Sequence, residues 1–217
     1  MESIIYERTQ LSVRFDTVLF PFNLYEFMKI LEREGFSLEG NELSPPRADQ
    51  KLEGKGIIAR RSTVGVSVDT GVYTIGVLTE DSKSSVTELE ALEELITHEL
   101  DIDTQSIAHY YELIATIAFR ATKPAYESLS KILGENPLAS LATESFGTDL
   151  NVWSARLASL GSCNEVSWTE VKISPAIPDS RSRLLVEIVH RRPDRDDVFE
   201  FTKSAKSMTA SLIEKIL

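Results

Sequence analysis

The sequence predicts an α+β fold: two successive strand–helix–strands–helix units forming one curved antiparallel sheet, with helices on one face. Three observations predict it. Runs of alternating apolar and polar residues mark strands, and capped apolar stripes of period 3.6 mark helices. The order of these elements then repeats over residues 1–104 and 105–217. At 217 residues, 42% hydrophobic and 26% charged, the chain is neither disordered nor fibrous. A chain of this size buries about 70% of its unfolded surface, enough for a sizeable core.

In the first unit, Leu11, Val13 and Phe15 alternate with Ser12, Arg14 and Asp16, which reads as a strand within 9–19. Asn23 and Glu26 stand in capping-box spacing. Leu24, Phe27, Met28 and Leu31 form the helix stripe, and Gly35 sits where a terminal glycine belongs. Residues 44–50, rich in proline and polar groups, read as an exposed loop. Strand-like runs follow at 57–62, 64–69 and 72–79, with Asp69-Thr70-Gly71 as a hairpin connection. A second helix opens at Ser85 and carries Leu89, Leu92 and Ile96 inward.

The second unit starts with a strand over 111–121. Pro124 is placed to open a helix bearing Tyr126, Leu129, Ile132 and Leu133, closed by Gly134. Residues 136–150 read as a loop or short helix. Strands are expected at 152–160, 165–174 and 183–191, then a terminal helix with the stripe Phe201, Ala205, Met208, Leu212 and Ile216. Residues 198–201 read either as the start of that helix or as the end of a hairpin. The predicted core is Val13, Phe15, Phe27, Leu31, Leu92, Ile96, Ile117, Phe119, Leu129, Ile132, Leu212 and Ile216.

This order of elements resembles, as topology, the duplicated saddle of TATA-binding-protein-like folds. Two ferredoxin-like units side by side are the alternative. No sequence motif of the TATA-binding-protein-like family is matched, so no residue role is carried over. The two repeats, 1–104 and 105–217, are expected to form one compact unit sharing a sheet, one face packed by helices and the other open.

Charge is uneven. The net is −11, and residues 1–104 hold ten Lys/Arg against twenty Asp/Glu, so nearly all of the excess lies there. An acidic chain repels polyanions, which disfavours nucleic acid as a partner. The single cysteine, Cys163, excludes an internal disulfide framework and a multi-cysteine metal site. No apolar run approaches the roughly 20 residues of a membrane span, and no basic-then-apolar leader opens the chain. The expectation is a cytoplasmic protein without membrane contact.

Two clusters are candidates for binding. The first is Arg181, Arg183, His190, Arg191 and Arg192, whose guanidinium forks suit phosphate or carboxylate. Its acids, Glu187, Asp194, Asp196 and Asp197, could instead neutralise it as a solvated turn. The second is a polar sheet face with Arg14, Arg60 or Arg61, Arg156, Lys172 and Glu187. Here Arg60 and Arg156 are expected as equivalents near a pseudo-twofold axis. Trp153 and Trp168 are assigned to core packing.

Catalytic signatures are weak. His98-Glu99 does not continue into H-E-x-x-H, there is no G-x-S-x-G elbow, and neither nucleotide-binding glycine pattern occurs. No metal or cofactor is expected. The expected function is a non-catalytic module binding a small anionic ligand or a protein partner on its open sheet face, with a homodimer as one form it could take. The alternative is an enzyme acting on a small anionic substrate through His190 and its arginines.

Overall fold

A computed structural model describes residues 4–39, 55–121, 124–133, 137–149, 153–159, 166–177 and 179–216. The elements are β1 (Ile4–Phe15), α1 (Leu24–Arg33), β2 (Ser37–Leu38), β3 (Lys55–Arg61), β4 (Val64–Asp69), β5 (Thr74–Thr79) and α2 (Ser82–Leu100). They continue with β6 (Ala108–Arg120), α3 (Ala125–Leu133), α4 (Pro137–Phe146), β7 (Ala155–Ala158), β8 (Trp168–Pro175), β9 (Arg183–Arg192) and α5 (Arg195–Ile216). All nine strands form one antiparallel open sheet in the order β2-β3-β4-β5-β1-β6-β9-β8-β7. The fold is mixed α+β, as expected.

Local chemistry sets the helix ends. Asn23 Oδ1 accepts from the N–H groups of Tyr25 and Glu26, and Gly35, at φ +82°, turns the chain out of α1. The start of α2 differs from the expectation. Asp81 is the cap, accepting from the Ser84 N–H, so the helix opens three residues before Ser85. Asp194 Oδ1 accepts from the Asp197 N–H at the head of α5, which makes 198–201 helix rather than strand. The expected loop at 44–50, Gly134, Cys163 and the side chain of Ile132 lie outside the described residues.

The helices cover one sheet face. Leu11, Val13 and Phe15 of β1, Leu113, Ile117 and Phe119 of β6, and Leu184, Val186 and Ile188 of β9 point at them. They meet Phe27 and Leu31 of α1, Leu89, Leu92 and Ile96 of α2, Leu129 of α3, and Val198, Phe199 and Ile213 of α5. The stripe of α5 is rotated from the expected one. Met208 is exposed and Leu212 and Ile216 are half-buried, while Thr202, Ala205 and Thr209 face the core. Threonine fits there because each hydroxyl donates to the carbonyl four residues back, Thr202 to Val198 and Thr209 to Ala205, both at 2.6 Å. The methyl group is left to pack.

Two buried carboxylates, each paired with a partly exposed cation, tie helices to the sheet. Glu7 of β1 receives the Ser82 N–H at 2.8 Å and pairs with Lys206 of α5 at 2.8 Å. Glu93 of α2 accepts from the Tyr111 hydroxyl at 2.9 Å and from Arg195 at 3.0 Å. Burial raises the Glu93 pKa, and the Tyr111 and Arg195 contacts oppose the rise. A cleft of about 500 Å³ between α2 and the head of α5 opens onto this closed network.

At the seam between β5 and β1 the strands leave no room for a side chain at Gly76. A Cβ there would stand 2.5 Å from the Leu11 carbonyl oxygen and from Ser12 Cβ. Gly76→Ala should therefore destabilise the protein by about 1–3 kcal/mol, read as a lower denaturation midpoint. An unchanged midpoint would mean that this strand approach is misplaced. Phe119→Ala, at a fully buried site, should cost about 3–5 kcal/mol in the same assay.

Candidate functional site

Strand register decides what the open face displays. One row crosses the sheet through Leu78, Gln10, Ile114, Val189 and Glu170. Beside it run Gly76, Ser12, Glu112, Arg191 and Trp168 on one flank, and Arg8, Thr116, Glu187, Lys172 and Arg156 on the other. Ile114 remains 40% exposed in mid-sheet. A row with Leu78, Ile114 and Val189 therefore lies between two polar rows, of which the one through Arg8, Lys172 and Arg156 carries an excess of cations.

At one end of the face, Tyr110 is held between two guanidiniums. Arg191 lies 4.4 Å and Arg14 5.5 Å from its ring centroid. Arg191 also grips Glu112 through Nε at 2.9 Å and Nη2 at 2.5 Å. The Tyr110 ring and the Arg191 guanidinium are therefore held in place by their own contacts. Trp168 stands opposite Arg191 in register. It is on the open face rather than in the core, and Trp153 is 46% exposed, which corrects the core assignment of both tryptophans.

The sequence-predicted residues separate in space. His190 and Arg192 point to the helix side and Arg191 to the open side, because consecutive strand residues face opposite ways. Arg183 pairs with Asp179 at 3.1 Å, and Arg181 lies exposed in the turn before β9. Arg192 reaches the Thr169 hydroxyl at 3.0 Å and Asp197 at 3.6 Å. Arg60 and Arg156 do share the open face, Arg60 with Glu39 and Arg156 with Glu170 at 2.7 Å. They are not near any central axis. Seven strand steps separate β3 from β7, about 34 Å at ~4.8 Å per step. Lys172 pairs with Glu187 at 2.5 Å, and Arg61 turns to the helix side, stacked on Phe36.

Charge is inverted on this face. Its strand positions carry Arg8, Arg14, Lys55, Arg60, Arg120, Arg156, Lys172, Arg183 and Arg191, against Asp69, Glu112, Glu170 and Glu187, with Glu39 and Asp179 reaching Arg60 and Arg183 from just beyond the strands. The chain as a whole has 34 acids and a net charge of −11, so the acids crowd elsewhere. Sequence reasoning missed Arg8, Tyr110 and Glu112. Only alternation along β1 and β6 signals that they belong to this face. The sequence matches no protein-family model and no curated protein, so function must be argued from this geometry.

His190 is buried beneath α5. Its ring stacks on Phe201 with centroids 3.8 Å apart and a 6° tilt, and Nδ1 lies 3.0 Å from the Thr169 hydroxyl. Burial, helped by Arg192 and opposed by Asp197, pushes its pKa down to about 4. That is opposite to the imidazolium expected beside a bound anion. An unfolded histidine titrates near 6.5, so the unfolded chain takes up this proton first. The stabilising contribution is complete above about pH 6.5 and is lost as pH falls toward 4. An NMR titration should place His190 near 4, and His190→Gln should flatten the fall in stability over that interval. Titration of His190 near 6.5 would show that this packing does not hold in solution.

Proposed function

We propose that this protein is a non-catalytic binding module whose open sheet face docks an acidic segment of a protein partner. The observation that carries the proposal is the charge inversion: nine basic and four acidic strand residues on one face of a chain with net charge −11. Such a face steers an acidic partner to itself while the rest of the surface repels it. Trp168, Arg14 and Arg191 are of the residue types that dominate binding energy at interfaces. The band of Leu78, Ile114 and Val189 offers apolar contact between the cations. A protein segment combining carboxylates with apolar side chains matches that pattern. A nucleic-acid backbone would meet Glu112, Glu170 and Glu187 among the cations, in a chain already repulsive to polyanions.

The mirrored strand order supports the further proposal that residues 1–104 and 105–217 are duplicated copies of one unit. β1 and β6 meet at the centre, β5 and β9 flank them, and β4 and β8 lie beyond. This is the order that a TATA-binding-protein-like topology would give, and such a likeness carries no residue role. The enzyme reading has less support, since His190 and Arg191 project from opposite faces and Phe201 covers the imidazole.

A blocked peptide of alternating Glu and Leu is a direct probe. It should bind with strong salt dependence and move the amide resonances of Gln10, Ile114 and Val189. Ile114→Glu places a carboxylate in the apolar band at an exposed position, and should weaken binding at least about tenfold. Peptide-induced shifts confined to α2 and α5, or binding indifferent to Ile114→Glu, would refute docking on this face.

A further inference from the structure

The cations singled out along the sequence are largely engaged by carboxylates or rings, but Arg8 is not. It stands exposed in the middle of β1 on the open face, opposite Thr116, and has no hydrogen-bond or ion-pair partner among the described residues. Beside it the face sinks into a hollow of about 260 Å³ between β1, β3, β4 and β5. The hollow has a structural origin. Gly56, at φ +116°, leaves open space at its rim, and a bulge between Ile57 and Ala59 shifts the register of β3.

The lining is chemically specific. Arg8 and Gln10 come from β1, and the Ser67 and Thr74 hydroxyls from β4 and β5. Ile57 and Leu78 supply apolar wall. Asp69 also lines the hollow and pairs with Lys55 at 3.2 Å, so Lys55 arrives neutralised. One guanidinium is left to meet an anion, with the Gln10 amide beside it and an apolar side to the cavity, since the Ser67 and Thr74 hydroxyls already donate to the Gly76 and Val72 carbonyls.

We propose that this hollow is a carboxylate subsite, in which Arg8 takes a carboxylate borne on a short apolar stem, as a glutamate side chain of the docked segment presents it. The guanidinium fork matches the two carboxylate oxygens, and Ile57 and Leu78 pack the methylenes. The apolar wall sets the ligand class: a carboxylate on a short stem buries its methylenes against Ile57 and Leu78, whereas inorganic phosphate has nothing to place there. The subsite rests on the open face being the docking surface and names what that surface recognises. It also moves the anion contact from the arginines of β9 into the acidic first half of the chain.

The test compares the wild type, Arg8→Gln and Arg120→Gln at constant ionic strength. Arg120 is a second exposed cation of this face without a partner among the described residues. Butyrate should move the amide resonances of Gln10, Ser67 and Thr74, and inorganic phosphate should move them less. Arg8→Gln should abolish the butyrate shifts and weaken the blocked Glu/Leu peptide about tenfold, with Arg120→Gln within about twofold of wild type. Equal losses in both variants, or phosphate acting more strongly than butyrate, would overturn the subsite. If the peptide moves Ile114 and Val189 independently of Arg8, the subsite fails and the docking face stands. If no open-face resonance moves, both fail.

Discussion

The antiparallel pairing of β1 with β6 is the constraint on which the rest of this structure depends. It joins a sheet of five strands from the first half to one of four from the second, with Ser12 opposite Glu112 and Gln10 opposite Ile114. Because side chains alternate along a strand, a slip of one residue here would send Leu11, Val13 and Leu113 into water and Arg8, Arg14 and Glu112 into the core. Burying charge without partners costs far more than exposing an apolar side chain. The same register therefore fixes the core and the charge of the open face together.

The helices reinforce that register through buried polar contacts rather than apolar packing alone. Glu7 sits on the core side of β1 and is reached by the head of α2 and by Lys206 of α5, and Tyr111 of β6 reaches Glu93. Such pairs are weak sources of stability, because desolvation offsets most of the attraction, but a misplaced helix would leave a carboxylate buried and unpaired. Their value here is in specifying one arrangement of α2 and α5 over the seam.

Much of the fold was legible in the sequence, and the reason is local. Alternation in Leu11–Phe15, the Asn23 cap and the Pro124 helix start depend on residues a few positions apart. The site was less legible because it depends on distant pairing. Glu112 meets Arg191 79 positions away, and Arg14 meets Tyr110 96 positions away. Reading His190, Arg191 and Arg192 as one cluster follows the chain, whereas a strand deals neighbours to opposite faces. Arg60 and Arg156 looked central because they fall at similar places in the two halves, yet β7 is an edge strand and β3 lies next to the other edge. Trp168 was assigned to the core by residue type, and its parity in β8 puts it on the open side.

The central claim is that an acidic chain turns one cationic face outward. Paramagnetic cosolutes of opposite charge test it without any partner. Amide relaxation is measured across the protein with an anionic and then a cationic nitroxide at low salt. The account predicts that the anionic probe enhances relaxation most at Gln10, Ile114 and Val189, and the cationic probe most along the outer face of α2, which carries Glu90, Glu94 and Glu99. Equal enhancement by both probes on the two faces, or a preference of the cationic probe for the sheet, would contradict it.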